Sequence, residues 1–173
     1  MRLIVAITGA SGVNLAERFI KKLPKDIEVF IIISKNAKTV FKKENNREVF
    51  YDDDIAASVA SGSFKTDAMI ILPCSMNTLA KISCGISDNL TTRAASVMIK
   101  EQRKLILAPR ELPFSPIALE NMLKLSKLSI IIAPPIMGYY TNPKDLIEME
   151  DFLIGKWFDL LEIEHDLFKR WGE

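Results

Sequence analysis

Small polar side chains are densest at residues 73–93, PCSMNTLAKISCGISDNLTTR, directly after the apolar run Ala68-Met69-Ile70-Ile71-Leu72. If a buried strand ends at Pro73, then Ser75, Met76, Asn77 and Thr78 open a helix whose first backbone N–H groups have no partner within the helix. Such an end suits a phosphate or the polar edge of a flavin. The same residues also suit a plain N-cap and first turn, and the segment alone leaves both readings open. A second candidate is Thr8-Gly9-Ala10-Ser11-Gly12, where glycines admit close approach of a ligand and Ser11 offers a hydroxyl ahead of a helix. It lacks the full G-x-G-x-x-G spacing and reads equally as a simple strand-to-helix turn. In Pro109-Arg110-Glu111-Leu112-Pro113 a guanidinium able to grip phosphate stands beside a carboxylate able to move a proton. A local Arg110–Glu111 salt bridge is the plainer alternative. Arg93 and Lys100, seven residues apart on one helix, fall on roughly one face, as surface charges or as a pair of cations aimed one way.

These residues need elements to hold them. Residues 2–7, 28–33, 68–72, 105–108 and 128–133 are apolar, β-rich runs, alternating with amphipathic helical patterns at 13–23, 35–43, 93–103, 115–125 and 144–170. Five strands alternating with helices predict an α/β fold: one three-layer, Rossmann-like, doubly wound parallel sheet in a single domain spanning 1–173, with ligands at the carboxyl ends of the strands. Ser11, Ser34, Ser75 and Arg110 all follow strands and so share that edge. The charged run at 42–48 reads as a solvated face, and Asp52-Asp53-Asp54 as a cap rather than a metal cluster. The Pro-, Gly- and Tyr-rich stretch at 134–143 has the composition of a loop that closes over a site. His165, the single histidine, reads as an exposed residue of the terminal helix, and no Ser-His-Asp or metal-ligand set can be built around it.

With 173 residues, 49% of them hydrophobic, the chain can bury a sizeable core. Its 23 basic and 22 acidic residues leave no field to draw in nucleic acid or an anionic membrane. Cys74 and Cys84 lack the C-x-x-C spacing of a zinc site and imply no disulfide framework, so a cytoplasmic protein is expected. No run approaches the ~20 apolar residues of a membrane span, and the apolar N-terminus reads as a first strand rather than a signal peptide.

Taken in order, TGASG, Ser34, ASGSF, PCSMNTLAKISCGISDNL, RAASVMIKE, LILAPREL and PPIMGYYTNP together resemble the UbiX-type flavin prenyltransferase family, formerly classed with aromatic-acid decarboxylases. The resemblance runs from residue 2 to about 159. It implies a homo-oligomer, usually a dodecamer, that binds FMN and transfers a dimethylallyl group from dimethylallyl phosphate to N5 and C6 of the reduced flavin without a metal. The prenylated FMN then serves a UbiD-type decarboxylase. Carried over residue by residue, it implies flavin contacts at Gly9, Ala10, Ser11, Ser34, Ser75, Met76, Asn77, Thr78 and Arg110. It places the prenyl phosphate on Arg93, Lys100, Arg110, Tyr140 and Lys156, and polar or proton-handling groups at Ser11, Glu44 and Glu111, with Tyr140 beside the reacting allyl group.

Three positions depart from the family pattern. Lys156 stands where Arg is frequent, which turns a two-pronged phosphate clamp into a point charge. Ala118 replaces a His, and Leu15 an aromatic residue. Two other readings compete: a flavin carrier or storage protein, and an FMN-dependent cysteine decarboxylase. The first has no use for a second set of phosphate-binding cations, and the second is expected to need a histidine early in the chain, where this sequence has none.

Overall fold

Strand β1 (Arg2–Ile7) is apolar throughout and pairs in parallel on both sides, with β2 (Glu28–Ile33) and with β4 (Ala68–Cys74). Continuous β-branched runs of this kind form where both faces of a parallel sheet are covered. The computed structural model describes residues 1–34 and 47–172. In it the sheet has six strands in the order β3-β2-β1-β4-β5-β6, all parallel, with β3 at Arg47–Tyr51, β5 at Lys104–Pro109 and β6 at Ile131–Ile132. The doubly wound α/β expectation is therefore met, with one strand more than the apolar runs indicated.

The additional strand is β3. Its first residues, Arg47 and Glu48, belong to the charged run read as solvated, yet Val49, Phe50 and Tyr51 carry strand-forming side chains onto the edge of β2. An edge strand can keep polar residues, so composition hid it. At the other edge β6 is two residues long, where a six-residue strand was expected. The helix expected at 35–43 lies outside the described residues.

Helices α1 (Val13–Lys22), α2 (Met76–Ser83), α3 (Leu90–Lys100) and α4 (Pro116–Ser126) connect the strands. One sheet face, carrying Ile4, Ala6, Phe30, Ile32, Met69, Ile71, Leu105 and Leu107, packs on Leu79 and Ile82 of α2, Leu90, Ala94 and Met98 of α3, and Leu125 of α4. Because side chains alternate along a strand, Leu3, Val5 and Ile7 point to the opposite face, and there α1 lies against β4. Asp52 does serve as a cap, but of a distant element: its Oδ1 accepts the Thr91 N–H of α3 at 2.8 Å.

The chain divides into two compact units, 1–134 and 135–173. The second is built on α5 (Leu146–Leu160), N-capped by Asp145, whose Oδ1 accepts the Glu148 N–H at 2.8 Å. The helix stops ten residues short of the expected end, since Glu162 takes a left-handed conformation (φ 60°) and the chain turns back. The returning segment seats Phe168 and His165 over Gly155, where a Cβ would come within 2.5 Å of Phe168. This corrects the reading of His165: its side chain is only 3% exposed, and Asp159 meets its Nε2 at 3.0 Å.

Candidate flavin-binding site

The strand order reverses between β1 and β4, since the chain runs outward through β2 and β3 before crossing to β4 on the far side of β1. That reversal opens a crevice beyond the strand carboxyl ends, the usual ligand position in such sheets. Two of the loops singled out from sequence meet there. Gly12 takes φ 111°, a left-handed conformation that favours glycine, and it N-caps α1 with no side chain on the first-turn N–H groups. Ser11 precedes it and is exposed.

Across the crevice Ser75 N-caps α2. Its Oγ accepts the Thr78 N–H at 3.2 Å and lies 2.9 Å from Thr78 Oγ1, so the N-cap alternative is correct as far as the hydroxyl goes. Among the described residues the N–H groups of Met76 and Asn77 have no partner, and with the positive end of the α2 dipole they make an anion seat. Ser34, just after β2, supplies a further sign of a missing ligand: its Oγ is out of solvent and, among the described residues, without a hydrogen-bond partner. Buried hydroxyls are almost always paired. These groups fit a flavin mononucleotide, with the helix ends suited to its phosphate and Ser34 and Asn77 to polar edges.

Arg110 reaches the same edge. Its N–H donates to Cys74 O at 3.3 Å, which ties the residue after β5 to the end of β4. Glu111 makes no ion pair with it among the described residues, and its Oε1 accepts the Leu112 N–H at 3.1 Å instead. Both side chains are exposed, so the local salt bridge is not what holds this loop.

The remaining predicted residues are dispersed. Arg93 lies in the first turn of α3, exposed and without a side-chain partner among the described residues. Lys100 closes the same helix at the opposite sheet edge, paired with Glu101 and beside Gly62. Within one copy, α3 therefore separates the two cations by its length, although they share a face. A cleft of about 690 Å³ at that far edge, lined by Arg103, Lys104 and Lys127, is distinct from the crevice; its cations sit at the carbonyl ends of α3 and α4, where they offset the helix dipoles. Tyr140 and Lys156 belong to the second unit. The Tyr140 ring packs edge-on against Phe152 and Trp171, and Lys156 Nζ lies 3.4 Å from Asp159 Oδ2. Glu44 lies outside the described residues.

Two residues outside the predicted set of site residues matter here. Thr8, 3% exposed, bridges the two crevice loops: its Oγ1 donates to Pro73 O at 2.7 Å and accepts the Ser75 N–H at 2.8 Å. Its place at the end of β1 was the available signal. Asp159 gathers His165, Arg170 and Lys156 on one carboxylate; partial burial disfavours its charge, but hydrogen bonds from Arg170 and His165 outweigh that and hold it below the usual carboxylate range. Burial pushes the Cys74 thiol up to about 12, so it is no nucleophile. Among the described residues no three His, Cys, Asp or Glu side chains converge on a metal position, and no helix is long and apolar enough to cross a membrane.

A parallel sheet of this order, with unpaired donors at its reversal point, defines a flavin-binding α/β protein, and the Flavoprotein family model matches residues 1–160. At the next level, the chain is 52% identical to the flavin prenyltransferase UbiX of Helicobacter pylori, with 99% of each chain covered, and it belongs to that family. A dodecameric FMN-dependent UbiX-like decarboxylase from Escherichia coli O157:H7 superposes with a TM-score of 0.92, at 37% identity and complete coverage of both chains. The structure of AnUbiX (PadA1) in complex with FMN and dimethylallyl pyrophosphate superposes at 0.91, with 36% identity over 99% of this chain and 97% of the other.

Proposed function

We propose that this protein is a flavin prenyltransferase that moves a dimethylallyl group from dimethylallyl phosphate to N5 and C6 of reduced FMN. The observation that supports its flavin-binding part is the Ser34 hydroxyl, out of solvent and unpaired among the described residues, at the strand-end edge where the N–H groups of Met76 and Asn77 are also unpaired among them. Family membership supports the chemistry, and the relative solved with FMN and dimethylallyl pyrophosphate supports the substrate pair.

Reduced flavin supplies the carbon and nitrogen nucleophiles; the chain must bind it, ionise the donor and handle a proton. The residues at Gly9, Ala10, Ser11, Ser34, Ser75, Met76, Asn77, Thr78 and Arg110 hold the FMN. Allylic C–O cleavage builds negative charge on the departing phosphate, which preorganised cations stabilise. Arg93, Lys100 and Arg110 belong to this set, and Tyr140 and Lys156 of a neighbouring subunit complete it. The electron-rich ring of Tyr140 faces the allyl cation. Closing the second bond adds a proton to the alkene carbon next to the one that joins C6 and removes the proton from C6; Glu111, free of an ion pair among the described residues, or the released phosphate moves that proton, and Ser11 and Glu44 orient polar groups. The assembly is a cytoplasmic homododecamer, supported by the dodecameric relative. Its product passes to a UbiD-type decarboxylase.

The test is release of inorganic phosphate from dimethylallyl phosphate under anaerobic conditions. Release that requires both protein and reduced FMN is expected, and release indifferent to flavin contradicts the assignment.

A further inference from the structure

The residues proposed to touch flavin sit on two separate loops, one after β1 and one after β4, whose separation the strand pairing alone does not set. The ladder between these strands runs only from Leu3–Ala68 to Ala6–Ile71. Beyond it one side chain spans the gap. The Thr8 hydroxyl donates its hydrogen to Pro73 O at 2.7 Å and accepts the Ser75 N–H at 2.8 Å, while the Thr8 N–H also reaches Pro73 O at 3.3 Å. Its single donor and one lone pair are both committed, so its rotor has one setting.

We infer that Thr8 is a positioning residue for flavin: it locks the loop at 9–12 and the N-terminus of α2 at the spacing FMN requires before FMN arrives. This rests on the flavin-binding reading above. It also divides the work within the second loop. The Ser75 N–H is spent on Thr8 and the Ser75 Oγ on Thr78, so Ser75 acts as a fixed cap, and the N–H groups of Met76 and Asn77 are those left to receive the ligand. A preorganised seat avoids the entropy of ordering the loop on binding.

T8V keeps the shape and removes the hydroxyl; T8S keeps the hydroxyl and removes a methyl group. In T8V the FMN dissociation constant should rise about tenfold, as for loss of one buried hydrogen bond, and T8S should stay within about twofold of wild type. At saturating FMN, T8V should leave the KM for dimethylallyl phosphate unchanged, whereas a merely structural defect would shift both. Equal FMN affinity in T8V and wild type overturns the inference alone, while a wild-type protein that takes up no FMN overturns the flavin reading beneath it. Should T8V fail to fold, amide exchange on the flavin-free wild type decides. The Ser75 N–H is expected to exchange far more slowly than that of Asn77, and equal rates overturn the inference.

Discussion

The N–H of Arg110 donates to the carbonyl oxygen of Cys74 at 3.3 Å, so the guanidinium-bearing residue after β5 is tied to the residue that precedes the α2 cap. That link fixes the backbone of Arg110 at the end of β4 and leaves its side chain exposed. R110A should raise both the FMN dissociation constant and the donor KM by tenfold or more, on the order of one lost charge-assisted hydrogen bond, and R110K should recover only part. Equilibrium flavin titration and steady-state kinetics read the two effects separately.

Capping by Ser75 has a stability signature distinct from flavin binding. S75A removes the acceptor of the Thr78 N–H and should cost about 1 kcal/mol in urea unfolding of the flavin-free protein.

The two cysteines should differ sharply. Cys84 is exposed and should react with a thiol reagent at neutral pH, while Cys74, buried with its thiol pushed up to about 12, should react only on unfolding. Mass mapping of alkylated peptides checks this.

Asp159 anchors the returning C-terminal segment, and its depressed acidity fixes the sign of the pH effect. The ionised form is favoured in the folded state, so the stabilisation is complete above the ordinary carboxylate value of about 3.9 and is lost as pH falls through the lower folded value. Leu167, whose N–H donates to His165 Nδ1 at 3.2 Å, reports on it. The protection factor of its amide should fall below about pH 4 in wild type and already be low at neutral pH in D159N.

If Glu111 handles the proton, E111Q should bind FMN normally and slow product formation by a factor of about 10² or more. Y140F, with the ring kept, should preserve donor affinity better than Y140A.

The parallel sheet was legible because its central strands are unbroken apolar runs, and the Ser75 and Gly12 helix starts because capping chemistry is local. β3 was not, since an edge strand tolerates the Arg47-Glu48 pair that composition assigns to solvent. The terminal helix was overextended because its apolar spacing runs on to Leu161 and no Gly or Pro follows to stop it before Arg170, while the reversal at Glu162 depends on a tertiary seat over Gly155. Thr8 was named only as the first residue of the 8–12 loop, with no role of its own; the pairing of β1 beside β4 gives its hydroxyl two partners. Lys100 looked adjacent to Arg93 by periodicity, but a shared helix face does not mean a shared end.

The most direct measurement is mass spectrometry of the flavin after anaerobic incubation of the protein with reduced FMN and dimethylallyl phosphate. A gain of one dimethylallyl unit on FMN, formed more slowly in R110A at subsaturating FMN and donor, is predicted. Bound FMN of unchanged mass in the presence of intact donor would contradict prenyl transfer and leave a flavin carrier in its place.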